Sequence, residues 1–109
     1  MGTTIENFLN PEFVLFGVDD IDAANKVESF YKTLHNRPFY RTTIKNAELI
    51  KVGYNTFIST KISFINTLME VCHKTGADID AVSNAFALAD QRLISMKYLY
   101  GGMADGGGC

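Results

Sequence analysis

The spacing of apolar and polar positions changes along this chain, and the changes mark out its elements. Phe13-Val14-Leu15-Phe16 is an unbroken apolar run between Pro11 and Gly17. A short run bounded in this way predicts a strand buried on both faces, as in a parallel sheet. One strand makes no sheet, so its neighbours are expected in another copy of the chain or in sequence outside it. Beyond it, Asp19 or Asp20 can cap a helix in which Ala24, Val27, Tyr31 and Leu34 recur at steps of three and four. Asn36-Arg37-Pro38 ends that helix, and Phe39-Tyr40-Arg41-Thr42-Thr43 is a second short strand candidate.

The dominant element follows. Thr43 or Asn46 can cap a helix running from about residue 46 to about residue 74, with Gly76 as its stop. At 1.5 Å per residue such a helix is roughly 45 Å long. One apolar stripe runs through Ile58, Ile62, Ile65, Met69 and Cys72, at steps alternating four and three. A second set, Ile50, Tyr54, Phe57, Phe64, Leu68 and Val71, widens the apolar face, so this helix needs cover on more than one side. A third helix is expected from Asp78, turning Ile79, Val82 and Phe86 inward, and residues 93–99 are expected to add a last turn or two. The fold class is mainly α: a helical domain built on one long helix, with one or two short strands at its front.

Composition narrows the function classes. With 109 residues, 47% of them hydrophobic, the chain can bury one modest core. A formal net charge of −2 gives no basic field, so no nucleic-acid partner is expected. No apolar run approaches the roughly 20 residues of a membrane span, and no membrane partner is expected. The N-terminus lacks a basic stretch leading into an apolar one, and Glu6 stands where a myristoylation signal wants Ser or Thr. Two cysteines make no disulfide framework, which points to a cytoplasmic protein. Glycine is unevenly spread: Gly101, Gly102, Gly106, Gly107 and Gly108 all fall near the end, just before Cys109. This pattern suggests a cut inside a functional loop.

Three features carry possible chemistry. Glycines before Cys109 would let a substrate approach the backbone closely, as a nucleophile-bearing loop requires; an exposed cysteine on a flexible tail fits the same residues. Lys51 and Asn55 lie one helical turn apart on one face and could hold an oxyanion or a water. They also belong to a polar stripe through Glu48, Ser59, Ser63, Asn66 and Glu70, which a simple solvated face would equally produce. Cys72 and His73 are helix neighbours pointing about 100° apart, with no second pair at ligand spacing, so no metal site is expected. Cys72 falls on the apolar stripe and is assigned to the core, and His35 is assigned to the dipole at the end of the first helix. The chain has no G-x-G-x-x-G, Walker A or G-x-S-x-G motif, hence no cofactor loop of its own.

Residues 47–66, Ala47-Glu48-Leu49-Ile50-Lys51-Val52-Gly53-Tyr54-Asn55 onward to Asn66, closely resemble the long central helix of the UDP-glucose/GDP-mannose 6-dehydrogenase family. Gly76-Ala77-Asp78-Ile79-Asp80-Ala81-Val82, Asp90-Gln91-Arg92, Lys97-Tyr98-Leu99 and the glycine-rich run into Cys109 continue the resemblance in order and spacing. Asn10-Pro11-Glu12-Phe13-Val14-Leu15-Phe16-Gly17 extends it to the front. The resemblance implies an enzyme that oxidises the primary alcohol of a nucleotide sugar to a carboxylate, by two hydride transfers to NAD. Cys109 matches the nucleophile that forms the thiohemiacetal and then the thioester. Lys51 matches the lysine that stabilises oxyanion charge, and Asn55 the asparagine beside it. Arg92 lies where many members carry an arginine reaching the nucleotide sugar of the partner subunit. The family also implies a homodimer formed through the long helix.

The resemblance has gaps. The NAD-binding Rossmann domain is expected before Met1, together with a threonine and a glutamate of the active site. An aspartate four residues beyond the cysteine and a C-terminal nucleotide-binding domain are expected after it. Ala104 stands for a glycine usual in the loop, and Gly53 for a small residue that is commonly alanine. The expected organisation is therefore the end of a Rossmann domain over residues 1–42, then the central helical domain over 43–109, inactive by itself. A helical self-association module without chemistry, using the apolar helix between Leu49 and Cys72, is the alternative.

Overall fold

A computed structural model of the chain describes residues 2–97 and 99. The chain forms two compact units, Met1–Thr60 and Lys61–Cys109. Elements follow in the order α1 (Thr4–Leu9), β1 (Val14–Gly17), α2 (Ile21–Lys32), β2 (Phe39–Thr42), α3 (Ile44–Thr75) and α4 (Ile79–Ala87). Helix α1 has no counterpart in the sequence expectations. It is six residues long and its N-cap, Thr3, makes no capping hydrogen bond, so it carries little local signal.

In the first unit, β1 and β2 pair in parallel from Val14↔Phe39 to Gly17↔Thr42. The partner of β1 thus lies in the same chain, contrary to the expectation of a neighbour elsewhere, because α2 serves as the crossover of a βαβ unit. The ladder is prolonged at both ends, where Val14 N–H donates to Pro38 O at 2.9 Å and Val18 N–H to Thr42 O at 2.8 Å. Of the two possible caps of α2, Asp20 is the one used: its carboxylate accepts from Ala23 N–H at 3.0 Å. Ala24 is buried and Tyr31 half-buried, but Val27 and Leu34 stay 43% and 37% exposed. Two strands are too narrow a layer to cover the full stripe of the helix.

The strand layer is tied to α2 by charge as well. Arg41 on β2 donates through Nε to Glu28 at 2.7 Å and through Nη1 to Asn25 at 2.9 Å, while Lys32 meets Glu28 at 2.8 Å. Hydrogen bonds from Lys32 and then Arg41 hold the Glu28 carboxyl below its ordinary value of 4.5.

His35 does not serve the helix end. Helix α2 stops at Lys32, and the turn after it folds the imidazole back, where it stacks on Phe39 at 5.7 Å and is 9% exposed. Phe39 in turn stacks on Phe16 at 5.7 Å; Tyr31 joins the cluster 6.1 Å from Phe16 and from His35, and Phe8 lies 5.9 Å from Tyr31. His35 Nδ1 accepts from Arg37 N–H at 3.2 Å, and its Nε2 is buried with no hydrogen-bond partner among the described residues. It is an aromatic core residue.

Helix α3 begins two residues before the expected start, with Thr43 Oγ1 accepting from Asn46 N–H at 3.3 Å. The end of β1 lies against this start: a Cβ on Gly17 would come within 2.9 Å of Ile44 Cα and 3.1 Å of Ala47 Cβ. Glycine is required there by space. At the far end Gly76 takes φ +76°, a left-handed conformation that ends the helix as expected.

The second unit comprises the rest of α3, α4 and the turns after it. Asp78 caps α4 through Asp80 N–H at 2.9 Å, and Phe86 stacks on Phe64 at 6.3 Å. Ile79, Val82 and Phe86 are half-buried and Cys72 is buried, all as the stripes imply. The expected helical turns at 93–99 are absent among the described residues, which form turns and bends. Ser95 there accepts from Lys97 N–H and donates to Gln91 O, offering the backbone an alternative to the helix.

Candidate functional site

Lys51 and Asn55 project from α3 one turn apart, both exposed, within the first unit. Lys51 opens into a groove of about 520 Å³ between α3 and the segment running from α1 to β1. Asn7, Asn10, Glu12, Lys51 and Tyr54 supply its polar atoms. Pro11, Phe13, Leu15 and Ile50 form its apolar wall. A groove of this size, apolar with a few convergent polar groups, suits a small ligand or part of one.

Tyr54 and Glu12 are joined across this groove. The phenol donates to Glu12 Oε2 at 2.9 Å, although the two residues are 42 apart in the chain. That hydrogen bond, with the negative charge behind it, raises the Tyr54 phenol above its ordinary value of 10. At about 100° per residue, Tyr54 and Asn55 flank Lys51 on the helix surface at roughly 60° and 40°. The sequence placed Tyr54 in an apolar set and named Glu12 only within the segment that carries the family resemblance. Their partnership depends on a contact between segments 42 residues apart, which no local spacing signals.

Other site candidates lie elsewhere. Arg92 is exposed in the turns after α4, in the second unit. Cys109 lies outside the described residues. Among the described residues no group of three or more His, Cys, Asp and Glu side chains could hold a metal ion, and no helix is long and apolar enough to cross a membrane.

The βαβ unit does not fit NAD. The turn from β1 into α2 reads Gly17-Val18-Asp19-Asp20, and Asp22 follows in the first turn of the helix. The Asp20 carboxylate already occupies the helix N-terminus, and its charge would repel a pyrophosphate. The lack of a side chain at Gly17 serves the approach of Ile44 rather than of a ligand.

The profile of the UDP-glucose/GDP-mannose dehydrogenase family, central domain, matches residues 45–109. Over 108 residues the chain is 36% identical to UDP-glucose 6-dehydrogenase YwqF of Bacillus subtilis, a match covering 99% of this chain and 24% of that protein. It is 37% identical over 112 residues to UDP-glucose 6-dehydrogenase of Rhizobium meliloti, covering 99% of this chain and 25% of that one. An uncharacterized protein of Methanocaldococcus jannaschii, MJ1054, is 39% identical over 113 residues, covering 99% of this chain and 12% of its own. The chain spans about a quarter of the length of the curated UDP-glucose 6-dehydrogenases it matches.

Proposed function

Because the chain belongs to the UDP-glucose/GDP-mannose dehydrogenase family, we propose that it provides the central part of a nucleotide-sugar 6-dehydrogenase acting in the cytoplasm. In this reading residues 1–42 close a Rossmann domain, and residues 43–109 form the helical domain that carries Lys51, Asn55 and Cys109. The observation that carries the proposal is Lys51: within the family-matching segment, it stands at a groove with Asn55 one turn away on the same helix.

The chemistry follows from these groups. Addition of the Cys109 thiolate to a sugar aldehyde forms a carbon–sulfur bond and moves the carbonyl electron pair onto oxygen. The Lys51 ammonium offsets that charge, and the Asn55 amide N–H donates to the same oxygen or to the water that later releases the acid. Both donors sit on one rigid helix, so little reorganisation is needed as charge develops. Arg92 reaches the nucleotide sugar bound by a partner subunit. NAD is the oxidant the family implies; the acidic turn from β1 into α2 argues against binding of its pyrophosphate there, and in this reading another part of the enzyme binds it.

The proposal is tested by a chimera in which this chain replaces the matching quarter of YwqF from Bacillus subtilis. The expected result is UDP-glucose-dependent NADH formation that Lys51→Ala or Cys109→Ser reduces at least a hundredfold, while the chain alone forms none. A chimera that folds and dimerises but reduces no NAD would overturn it in favour of the non-catalytic module.

A homodimer through α3 is part of the same reading. Leu49 and Val52 are 69% and 61% exposed, and Phe57 and Ile58 also face outward, a surface that a second copy of the helix would cover. Val52→Glu should then shift the chain from dimer to monomer in sedimentation; a monomeric unmodified chain would count against the proposed dimer.

A further inference from the structure

We propose that Tyr54 is a positioning residue for Lys51: anchored on Glu12, its hydroxyl holds the α3 turn that presents Lys51 to the groove. The inference rests on the reading of Lys51 as the cation that stabilises the oxyanion.

Three observations carry it. The anchor is non-local, since the 2.9 Å hydrogen bond from Tyr54 to Glu12 joins α3 to the loop between α1 and β1. The loop end of the bond is itself held, because Pro11 limits the backbone before Glu12 and the β ladder starts two residues after it, at Val14. Lastly, all three side chains line the same groove, with Tyr54 on the helix surface between Ile50 and Lys51. The Lys51 stem is long and rotatable, so the direction of its ammonium depends on what stands beside it. A phenol fixed at both ends limits the rotamers open to that stem. It also sets the rotation of this turn of α3 and hence the side to which Lys51 and Asn55 are offered.

The inference separates hydrogen bonding from simple ring packing. Tyr54→Phe keeps the ring and loses the donor, Glu12→Ala loses the acceptor, and Glu12→Gln keeps an acceptor oxygen without the charge. The 109-residue chain, with its lysines isotopically dimethylated, is examined by NMR. Tyr54→Phe and Glu12→Ala should each move the Lys51 methyl resonance toward that of an unstructured lysine, and the double variant should move it no further. Glu12→Gln should restore most of the original position. A Lys51 resonance that Tyr54→Phe leaves in place, or shifts that simply add in the double variant, would overturn the proposal.

In the YwqF chimera, Tyr54→Phe should lower kcat about tenfold at unchanged KM, the signature of a misplaced group rather than of lost substrate binding. A raised KM with kcat intact would also overturn it. An inactive chimera in which the Lys51 resonance still responds to Tyr54→Phe would sink the dehydrogenase reading while sustaining the anchor, so the two fail separately.

Discussion

The βαβ segment from Val14 to Thr42 and the helix α3 that follows it solve different problems. In the first, β1 finds its partner in β2, Arg41 finds Glu28 and Asn25, and the aromatic rings of Phe16, His35 and Phe39 stack on one another. Helix α3 meets the same unit at a few places, chiefly Gly17 against Ile44 and Glu12 against Tyr54, and leaves Leu49, Val52 and Ile62 exposed. The lesson is that polar partners and packing partners need not come from the same source. The charged groups of the small α/β layer find partners among its own residues, whereas α2 in part, and the long helix over more of its length, keep apolar surface beyond what the described chain covers.

The contrast breaks most sharply at the seam between the two regions. Gly17→Val should destabilise the chain by about 3 kcal/mol in urea unfolding, because the new side chain meets the backbone of Ile44, which cannot yield as a side-chain tip could. If stability is unchanged, the close approach of β1 to α3 is not real. Gly76→Ala comes next, costing about 1–2 kcal/mol since alanine pays a steric penalty at φ +76°. Gly53 tests the opposite sign. A Cβ there meets nothing within 4 Å, so Gly53→Ala should stabilise α3 by roughly 0.5–1 kcal/mol, visible as a raised thermal midpoint. A drop in stability instead would reveal an approach of a partner to that face.

The smallest effect concerns the charge pairing of the βαβ segment. The Glu28 carboxyl is lowered in the folded state by Lys32 and Arg41, so its contribution is present above the ordinary value of 4.5. It is lost as pH falls through the lowered folded value. Stability of the chain should decline over that interval, and Glu28→Gln should flatten the decline; an unaltered profile would show that the pairing is too exposed to matter.

Local chemistry was legible from the residues alone. Asp20 and Asp78 cap helices because a carboxylate one position before a helix can reach N–H groups of its own first turn, and Gly76 stops α3 because glycine alone takes its φ freely. Lys51 and Asn55 were found together for the same reason: a regular helix converts a spacing of four into proximity. The misses share one cause in reverse. His35 was assigned to a helix end, yet the turn that follows carries it onto Phe39, a residue it could not be matched with by spacing. The pairing of β1 with β2 in the same chain, and the failure of residues 93–97 to continue as a helix, depended likewise on partners or side-chain competition that periodicity does not encode.

The sequence by itself determined the mainly α class, the long helix with its two apolar stripes, the caps and stops, and the family resemblance through Lys51, Asn55, Arg92 and Cys109. Each of these depends on interactions within a few residues or on a pattern carried along one strand of text. Only the tertiary structure decided that Val14–Gly17 lies beside Phe39–Thr42, that Gly17 must be small for the sake of Ile44, and that Glu12 reaches Tyr54 beside Lys51. Those are contacts between residues far apart in the chain, and their geometry is fixed by how whole elements pack rather than by any preference of the residues that make them.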